Sequence, residues 1–490
     1  MRNPYTRIAV FVLFAVAVPA LCLGANVGKI AGMVTDKETG EPLGFPQVLV
    51  VGTPMGAMGV ADGSYAILNV PPGTYDVKAT YMGYKPVQIV GVVVKPDLTA
   101  TADFQLEKTV ATELEPVIIQ AERPVIEVDV TSTRNIFSAD EVRSLPVDNP
   151  VNVINYVSGS SVDARGTHIR GGRETEVGYY VDNAPVQDPI QNNSLMTLST
   201  QTVTEMVVFT GGFNAEYGNA SSGIVNIITS EGADKFTGSY QHRMYLPAQR
   251  FWRKSDSGDL QDTGEISEKL SIAGPIFKQG DTDLRYALSL EINNWDDYDP
   301  HVVAEDRPGR QRLYDGTLTY RFGRSKVKAV VNVEDSRYVS SFDSYRLYER
   351  ILVPESWRTT DDENYRLGLS GSHMLSDRSF VEASFSVLDG TYERAQTGKY
   401  WNMDSTEAWN QAEYDWDLDV RRNEENFVIS GDNPYYDYQE KRIYSFRGAY
   451  TAQMGRNEVK SGLDLNSYRV INNDVFASTQ NYYLYRYDVK

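Results

Sequence analysis

The sequence contains one cysteine, Cys22, in 490 residues. This excludes a disulfide framework and a multi-cysteine zinc site. Histidine is almost as scarce. The four are His168, His242, His301 and His373, and none stands in an H-x-x-E or H-E-x-x-H arrangement, so a zinc peptidase would lack ligands. Positive charge is outweighed: 47 Lys and Arg stand against 66 Asp and Glu, a formal net charge of -19. The basic footprint of a nucleic-acid binder is therefore absent, and no nucleic-acid partner is expected. Beyond the first residues there is no long apolar run, and the mean hydropathy is -0.39. A bundle of membrane helices is excluded. A transmembrane barrel is not, because only alternate residues of its strands face lipid.

The one apolar run, Ile8 to Leu23, follows Arg2 and Arg7 and precedes Gly24-Ala25. That order is a secretory signal peptide, residues 1–25, cleaved near Ala25. The run is short for a membrane span and holds Pro19, which argues against an anchor helix. Leu21 is too bulky to precede a lipid-modified cysteine, so Cys22 is expected to leave with the signal.

From residue 26 to 108 short apolar runs alternate with turn residues. Ile30 to Val34 runs into Asp36-Lys37-Glu38-Thr39-Gly40, and Asp62-Gly63 precedes Ser64-Tyr65-Ala66-Ile67 as a hairpin signal. About seven strands at this spacing predict a small β-sandwich. Gly32-Met33-Val34-Thr35-Asp36, the Gly40 to Leu43 turn, Asp62 to Tyr65, Val70 to Tyr75 and Gly83-Tyr84 resemble the carboxypeptidase-regulatory-like domain. That domain accompanies some zinc carboxypeptidases, but the resemblance implies a structural or docking module and no peptidase chemistry.

Residues 109–124 form a polar linker around Val117-Ile118-Ile119, which is β-prone and bracketed by Pro116 and Pro124. Prolines at both ends keep a segment extended and out of a central strand. Such a segment suits either an edge strand of the sandwich or a strand lent to a partner domain.

The next stretch, 125–235, mixes helix and strand signals. Ser138 with Glu141 reads as a capping box, and Asn149 to Tyr156 as a second short helix. Thr167 to Arg173 leads to Val177 to Val181, an Asp182-Asn183 turn suited to positive φ, and Ala184 to Val186. Glu205 to Gly212, Asn214 to Gly218 and Ser221 to Thr229 follow. Five pieces, in order, resemble the plug domain of TonB-dependent outer-membrane receptors. They contain Arg170, Gly171 and Gly172; Asp182; Gly211 and Gly212; Glu216, Tyr217 and Gly218; and Gly223. Asn183 stands where the family usually has Gly, and Asn tolerates the same turn.

The resemblance implies a TonB box at Val117, Ile118 and Ile119. It implies as partners the periplasmic domain of TonB with its inner-membrane energising complex, and a small-molecule, glycan or peptide ligand. In the implied mechanism TonB adds the box as a strand and pulls the plug open. No cofactor, metal or catalytic residue is expected. In a polar lumen Arg170, Arg173 and Glu216 would pair with barrel charges, weakly enough to be broken.

Residues 236–490 read as period-two strands. Leu284, Tyr286, Leu288, Leu290 and Ile292 share one face; Arg285, Ser289 and Glu291 share the other. Val381 to Val387, Val327 to Val333 and Tyr444, Phe446 and Tyr450 repeat the pattern. Alternation alone fits a soluble sheet equally well, but an upstream plug needs a lumen. The fold class expected is therefore mainly β: signal peptide, sandwich, α/β plug, then part of an antiparallel transmembrane β-barrel in contact with outer-membrane lipid. Asp296 to Asp299, Asp361-Asp362-Glu363 and Trp401 to Tyr436 read as extracellular loops, with Trp357, Trp401, Trp409 and Trp416 as candidate ligand contacts. The acidic clusters lack the spacing of a calcium loop.

At roughly 20 to 25 residues per strand and loop, 236–490 holds about ten strands, against about 22 in plugged transporters. Tyr482 to Tyr487 reads as one more strand and no terminal Phe or Trp follows. The sequence is expected to be the N-terminal portion of a longer receptor. The rival function is a surface adhesion or signalling protein of the same architecture that moves no solute.

Overall fold

The computed structural model describes residues 27–53, 55–95, 98–109, 117–120, 133–162, 166–213, 216–218, 220–245, 265–280, 282–295, 309–339, 358–396, 421–422, 428–430, 435–454, 457–477 and 482–489. The signal segment, Asp296 to Asp299 and all four tryptophans named above lie outside these residues.

The first module has strands β1 (Gly28–Asp36), β2 (Gln47–Val50), β3 (Gly56–Met58), β4 (Ser64–Val70), β5 (Gly73–Thr80), β6 (Val87–Val94), β7 (Thr99–Thr101) and β8 (Phe104–Leu106). β9 (Val117–Gln120) joins them. One sheet runs β4-β1-β7 with β8 also on β1; the other runs β3-β2-β5-β6-β9. Alternate apolar residues close the core between them, including Ile30, Val34, Val48, Val77 and Phe104. The motif residues meet in this small fold. Gly63 has φ +75°, and a Cβ there would lie 2.7 Å from the Val34 carbonyl. Asp36 accepts from Tyr84 Oη (2.7 Å) and the Glu38 amide (2.8 Å), and pairs with Lys108 (3.3 Å). The Tyr84 hydroxyl and the Glu38 and Thr39 amides hold the Asp36 carboxyl well below the usual carboxylate range.

The second module has β10 (Thr133–Ser138), helix Ala139–Ser144, β11 (Ser160–Val162), β12 (Thr167–Ile169), β13 (Val177–Val181), β14 (Ala184–Pro185), β15 (Val203–Gly211) and β16 (Gly223–Thr229). Ser138 caps the helix with Glu141 in a capping box, and Asn149 caps a 3-10 helix, Pro150–Tyr156. The sheet order is β10-β15-β16-β13-β14. β16 is buried along its whole length, which an enclosed central strand requires.

The third part is one antiparallel sheet of ten strands. In order they are β17 (Thr237–Tyr245), β18 (Glu265–Gln279), β19 (Thr282–Trp295), β20 (Gly309–Phe322), β21 (Ser325–Val339), β22 (Arg358–Ser376) and β23 (Ser379–Gln396). A small hairpin, β24 (Arg421–Arg422) and β25 (Val428–Ser430), precedes β26 (Tyr435–Met454), β27 (Asn457–Ala477) and β28 (Tyr482–Val489). β26 pairs directly with β23, so β24 and β25 stand off the wall. The wall strands β18 to β23, β26 and β27 have 14 to 21 residues, more than the roughly 9 to 11 needed to cross a bilayer.

The polarity of this sheet is inverted relative to a soluble protein. On β19 Leu288 is 49% exposed, whereas Glu291 is fully buried at 0%. Leu318, Val331, Phe385, Tyr444, Phe446 and Leu465 are likewise exposed, while Lys269, Lys328, Asn332 and Arg366 are buried. The concave face covers the plug with polar side chains and the convex face shows an apolar band, which is the arrangement of a membrane barrel. Among the described residues no helix is long and apolar enough to cross a membrane.

One expectation is corrected. Asp361, Asp362 and Glu363 are not in a loop but in β22, where Asp361 pairs with Arg337 on β21 and Asp362 accepts from Asn364. Asp362 shares the inner face with buried Asn364 and Arg366, whereas Asp361 and Glu363 lie on the opposite face, where Arg337 of the neighbouring strand pairs with Asp361.

The sandwich rests on the short-turn end of the barrel. Lys29 Nζ lies 2.9 Å from Glu458 Oε2, and Val27 and Leu68 pack on Phe380. A cavity of about 990 Å³ separates the two, between Tyr75 and Asp76 of the sandwich, Glu231 and Asp234 after the plug, and Arg285 and Arg321 of the wall.

Tyr65 Oη donates to the Ala102 carbonyl (2.5 Å) inside the sandwich. Tyr65→Phe leaves that carbonyl unsatisfied and is expected to cost about 1 to 3 kcal/mol. Denaturant titration followed by amide exchange across β1 to β8 should show the midpoint fall there while plug strands keep theirs.

Candidate functional site

The plug motifs assemble into two clusters, and backbone geometry explains most of them. After β12 the chain turns at Arg170 (φ +51°) and Gly171 (φ +75°), and Gly172 donates its amide to the Ile169 carbonyl. A Cβ on Gly172 would lie 2.3 Å from Ser222 Cβ. One on Gly223 would lie 2.4 Å from Ile169 Cδ1 and 2.8 Å from the Phe209 carbonyl. One on Gly211 would lie 2.5 Å from Arg170 Nη1, because that guanidinium crosses the end of β15. Arg170, Gly172, Gly211 and Gly223 are thus one close-packed knot, with Gly212 (φ +65°) turning the chain away.

The second cluster surrounds the β13–β14 hairpin. Asp182 and Asn183 have φ of +50° and +62°, the two-residue turn that matches strand twist. Tyr217 is buried edge-on against Tyr180 at 5.2 Å and close to Phe209 at 5.4 Å. Its hydroxyl donates to Asn183 Oδ1 (3.4 Å). Gly218 supplies a carbonyl to Tyr180 Oη (2.8 Å), and the space beside its Cα is open. Crowding therefore does not explain that glycine.

The plug is tied to the wall by charge. Asp182 faces Lys328 (3.0 Å) and Arg366 (4.0 Å) and accepts from the Thr229 amide (3.0 Å) and hydroxyl (2.7 Å). Lys328 also donates to the Thr229 carbonyl, and Arg366 to the Val181 carbonyl. Burial alone would raise the Asp182 carboxyl, but Lys328 and Arg366 outweigh it and hold the group below its ordinary range. Glu231 behaves the same way between Lys326 (2.7 Å) and Arg321 (2.9 Å). Asp188 pairs with Lys441, Glu216 with Arg447 and Lys460, and Asp148 with Arg243 and Lys269.

Elsewhere the wall grips plug backbone. Asp315 accepts from the Ser199 amide (3.1 Å) and the Thr202 hydroxyl (2.9 Å), and Glu334 from the Thr197 amide (2.8 Å). Two apolar wall residues, Leu388 and Ile443, enter the plug core.

Of the three charged residues expected to face the wall, Glu216 does so. Arg170 packs across the plug's own Gly211, and the Arg173 amide donates to Glu176. Sequence reasoning missed Asp148, Asp188 and Glu231, and it did not assign Asp182 a wall partner. The available signal was the run of inward cations on β21 and β22, Lys326, Lys328 and Arg366. Val117, Ile118 and Ile119 lie apart from all of this, in β9 on the sandwich. Among the described residues no group of three or more His, Cys, Asp or Glu could hold a metal.

Asp182→Asn leaves two cations buried beside a neutral amide, a loss of about 3 to 5 kcal/mol for a broken buried pair. Because its folded pKa is lowered, the stabilisation by Asp182 is complete above about pH 5 and disappears as the pH falls through the folded value. The denaturant midpoint of the plug should drop at pH 7 in the variant. On acidification the wild type should lose stability and converge on it. A pH-independent difference contradicts this assignment.

Comparison with known proteins agrees with the geometry. Residues 29–107 match the family model of the Carboxypeptidase regulatory-like domain, and residues 127–225 that of the TonB-dependent Receptor Plug Domain. The TonB-dependent transporter Oar of Myxococcus xanthus is 24% identical over 279 residues, which are 52% of this chain and 26% of that protein. Among solved structures, the outer membrane transporter YddB of Escherichia coli aligns at TM-score 0.47 and 9% identity, over 70% of this chain and 48% of that one. A ferric enterobactin receptor, PfeA of Pseudomonas aeruginosa, aligns at TM-score 0.45 and 15% identity, over 70% and 50%. The chain spans about a quarter of the curated relative and about half of each solved structure. The chain thus joins, in this order and ahead of barrel strands, a module that matches the carboxypeptidase regulatory-like domain and one that matches the plug domain of TonB-dependent receptors.

Proposed function

We propose that the chain gates energy-coupled uptake across the bacterial outer membrane, with Val117, Ile118 and Ile119 as the TonB box. The observation that carries this reading is the plug held inside the wall by discrete polar ties. Asp182, Asp188, Glu216 and Glu231 each meet wall cations. Removing one partner of a buried pair costs about 3 to 5 kcal/mol, so several pairs keep the plug closed against thermal motion. Each can be broken in turn by a pull along the chain and remade afterwards.

The direction of that pull follows from topology. Among the described residues β10 is the edge strand of the plug sheet and the first plug strand after the box. A force applied at residues 117–119 reaches it before any other plug strand. The sandwich lies at the end of the barrel with short turns, such as Gly323-Arg324 between β20 and β21. Short turns belong on the periplasmic side of outer-membrane barrels, which supports a periplasmic sandwich and box within reach of TonB. Solute released past the plug would enter the cavity above Tyr75 and Glu231. The apolar convex face contacts outer-membrane lipid. The ligand is a small molecule, glycan or peptide.

Ile118→Pro removes one backbone donor and forbids strand addition at that residue. TonB-dependent growth on a panel of iron-siderophore, glycan and peptide sources should fall to the level of a strain lacking TonB. Binding of the effective ligand to whole cells should be kept. Undiminished growth of the variant would remove the coupling role from this segment, and binding without any TonB-dependent uptake in the wild type would favour an adhesin.

A further inference from the structure

β9 is held where it can be held only weakly. Its four residues run parallel to β6, with Val117 opposite Val87, Ile118 opposite Gln88, Ile119 opposite Ile89 and Gln120 opposite Val90. Among the described residues the pairing runs to Val90, next to Gly91. That residue has φ +80°, and the β5–β6 register slips beside it, between Tyr75 and Val77. Asp76 fixes the irregularity: its carboxylate accepts from the Gly91 amide (3.1 Å) and from Gln88 Nε2 (3.3 Å). A bulge bends a strand and locally disrupts its ladder, and the four described pairs of β9 lie directly before it on β6. Side chains add little. Ile118 and Ile119 remain 67% and 45% exposed, so backbone pairing, not apolar burial, keeps the segment in place. The covalent tether keeps its local concentration high, which makes a short ladder sufficient.

The sandwich that provides this edge is itself fastened to the barrel rim. Lys29 pairs with Glu458 (2.9 Å) and bonds Gln453 (3.3 Å), and Val27 and Leu68 pack on Phe380. A pull on β9 is therefore shared with the sandwich for as long as β9 stays on β6. Only after the strand leaves does the full displacement pass to β10 and the plug.

We propose that the edge of β6 is an intramolecular docking site for the coupling segment, which must be vacated before the plug is pulled. The sandwich then acts as a holder that keeps the segment extended and sets the threshold for opening. This rests on the reading of Val117 to Ile119 as the TonB box.

The test is a reversible lock between residues that face each other in the ladder just outside the box, Val90→Cys with Gln120→Cys, in the full chain expressed in cells. The two cysteines should crosslink under mild oxidation. TonB-dependent uptake should be lost in the oxidised double variant and return on reduction, while each single variant is indifferent to the oxidant. Efficient crosslinking with undiminished uptake overturns the proposal, as does failure of the cysteines to crosslink. Failure of the box reading is a different result: uptake would then survive Ile118→Pro, in which no lock exists.

Discussion

Everything in this molecule follows from a wall that is apolar outside and polar inside. A soluble sheet hides its apolar face and wets the other. Here Leu288 and Val331 face outward while Glu291, Lys328 and Arg366 are buried. Buried charge is tolerable only when it is paired or hydrogen-bonded. The lumen therefore cannot be closed by an arbitrary apolar domain; its plug must carry complementary charge at defined points. Asp182 between Lys328 and Arg366, and Glu231 between Lys326 and Arg321, are such points. Under the proposed function the same chemistry would also permit release, because polar ties can break one at a time and water can replace them.

The plug's backbone is built to place those charges. The Asp182-Asn183 turn needs two positive φ values, and it aims the Asp182 carboxylate at the end of β16 and the wall cations. The knot of Arg170, Gly172, Gly211 and Gly223 brings β12, β15 and β16 closer than side chains would allow. Local stiffness in the plug and distributed ties to the wall are thus complementary: close packing holds the plug sheet together, and charge pairs seat it in the wall.

Much of this was legible in the sequence, for a physical reason. Turns, caps and glycine contacts are demands of the local backbone, so Ser138 with Glu141, Asp182-Asn183 and the glycine motifs could be read directly. Alternation on β19 gave the apolar face correctly, because it depends only on period two. The wall partners were not legible. Lys328 meets Asp182 across 146 residues, and only the strand register fixes which inward cation meets which acid. Asp361 to Glu363 misled for a related reason: cross-strand partners such as Arg337 for Asp361, and a lumen-facing place for Asp362, let an acidic stretch sit in a strand, and only the register shows them. The two readings of Val117 to Ile119, sandwich edge or lent strand, are both compatible with its β9 position, since an edge strand is what a partner can take.

The central claim is that the plug is a seated, removable body whose displacement depends on TonB. Its most direct measurement is maleimide labelling, in intact cells, of a single cysteine placed by Ser199→Cys, where the plug backbone is held by Asp315. The account predicts little labelling at rest and a clear increase when ligand and an energised inner membrane are both present, abolished in cells without TonB. Labelling that is the same with and without TonB would contradict it.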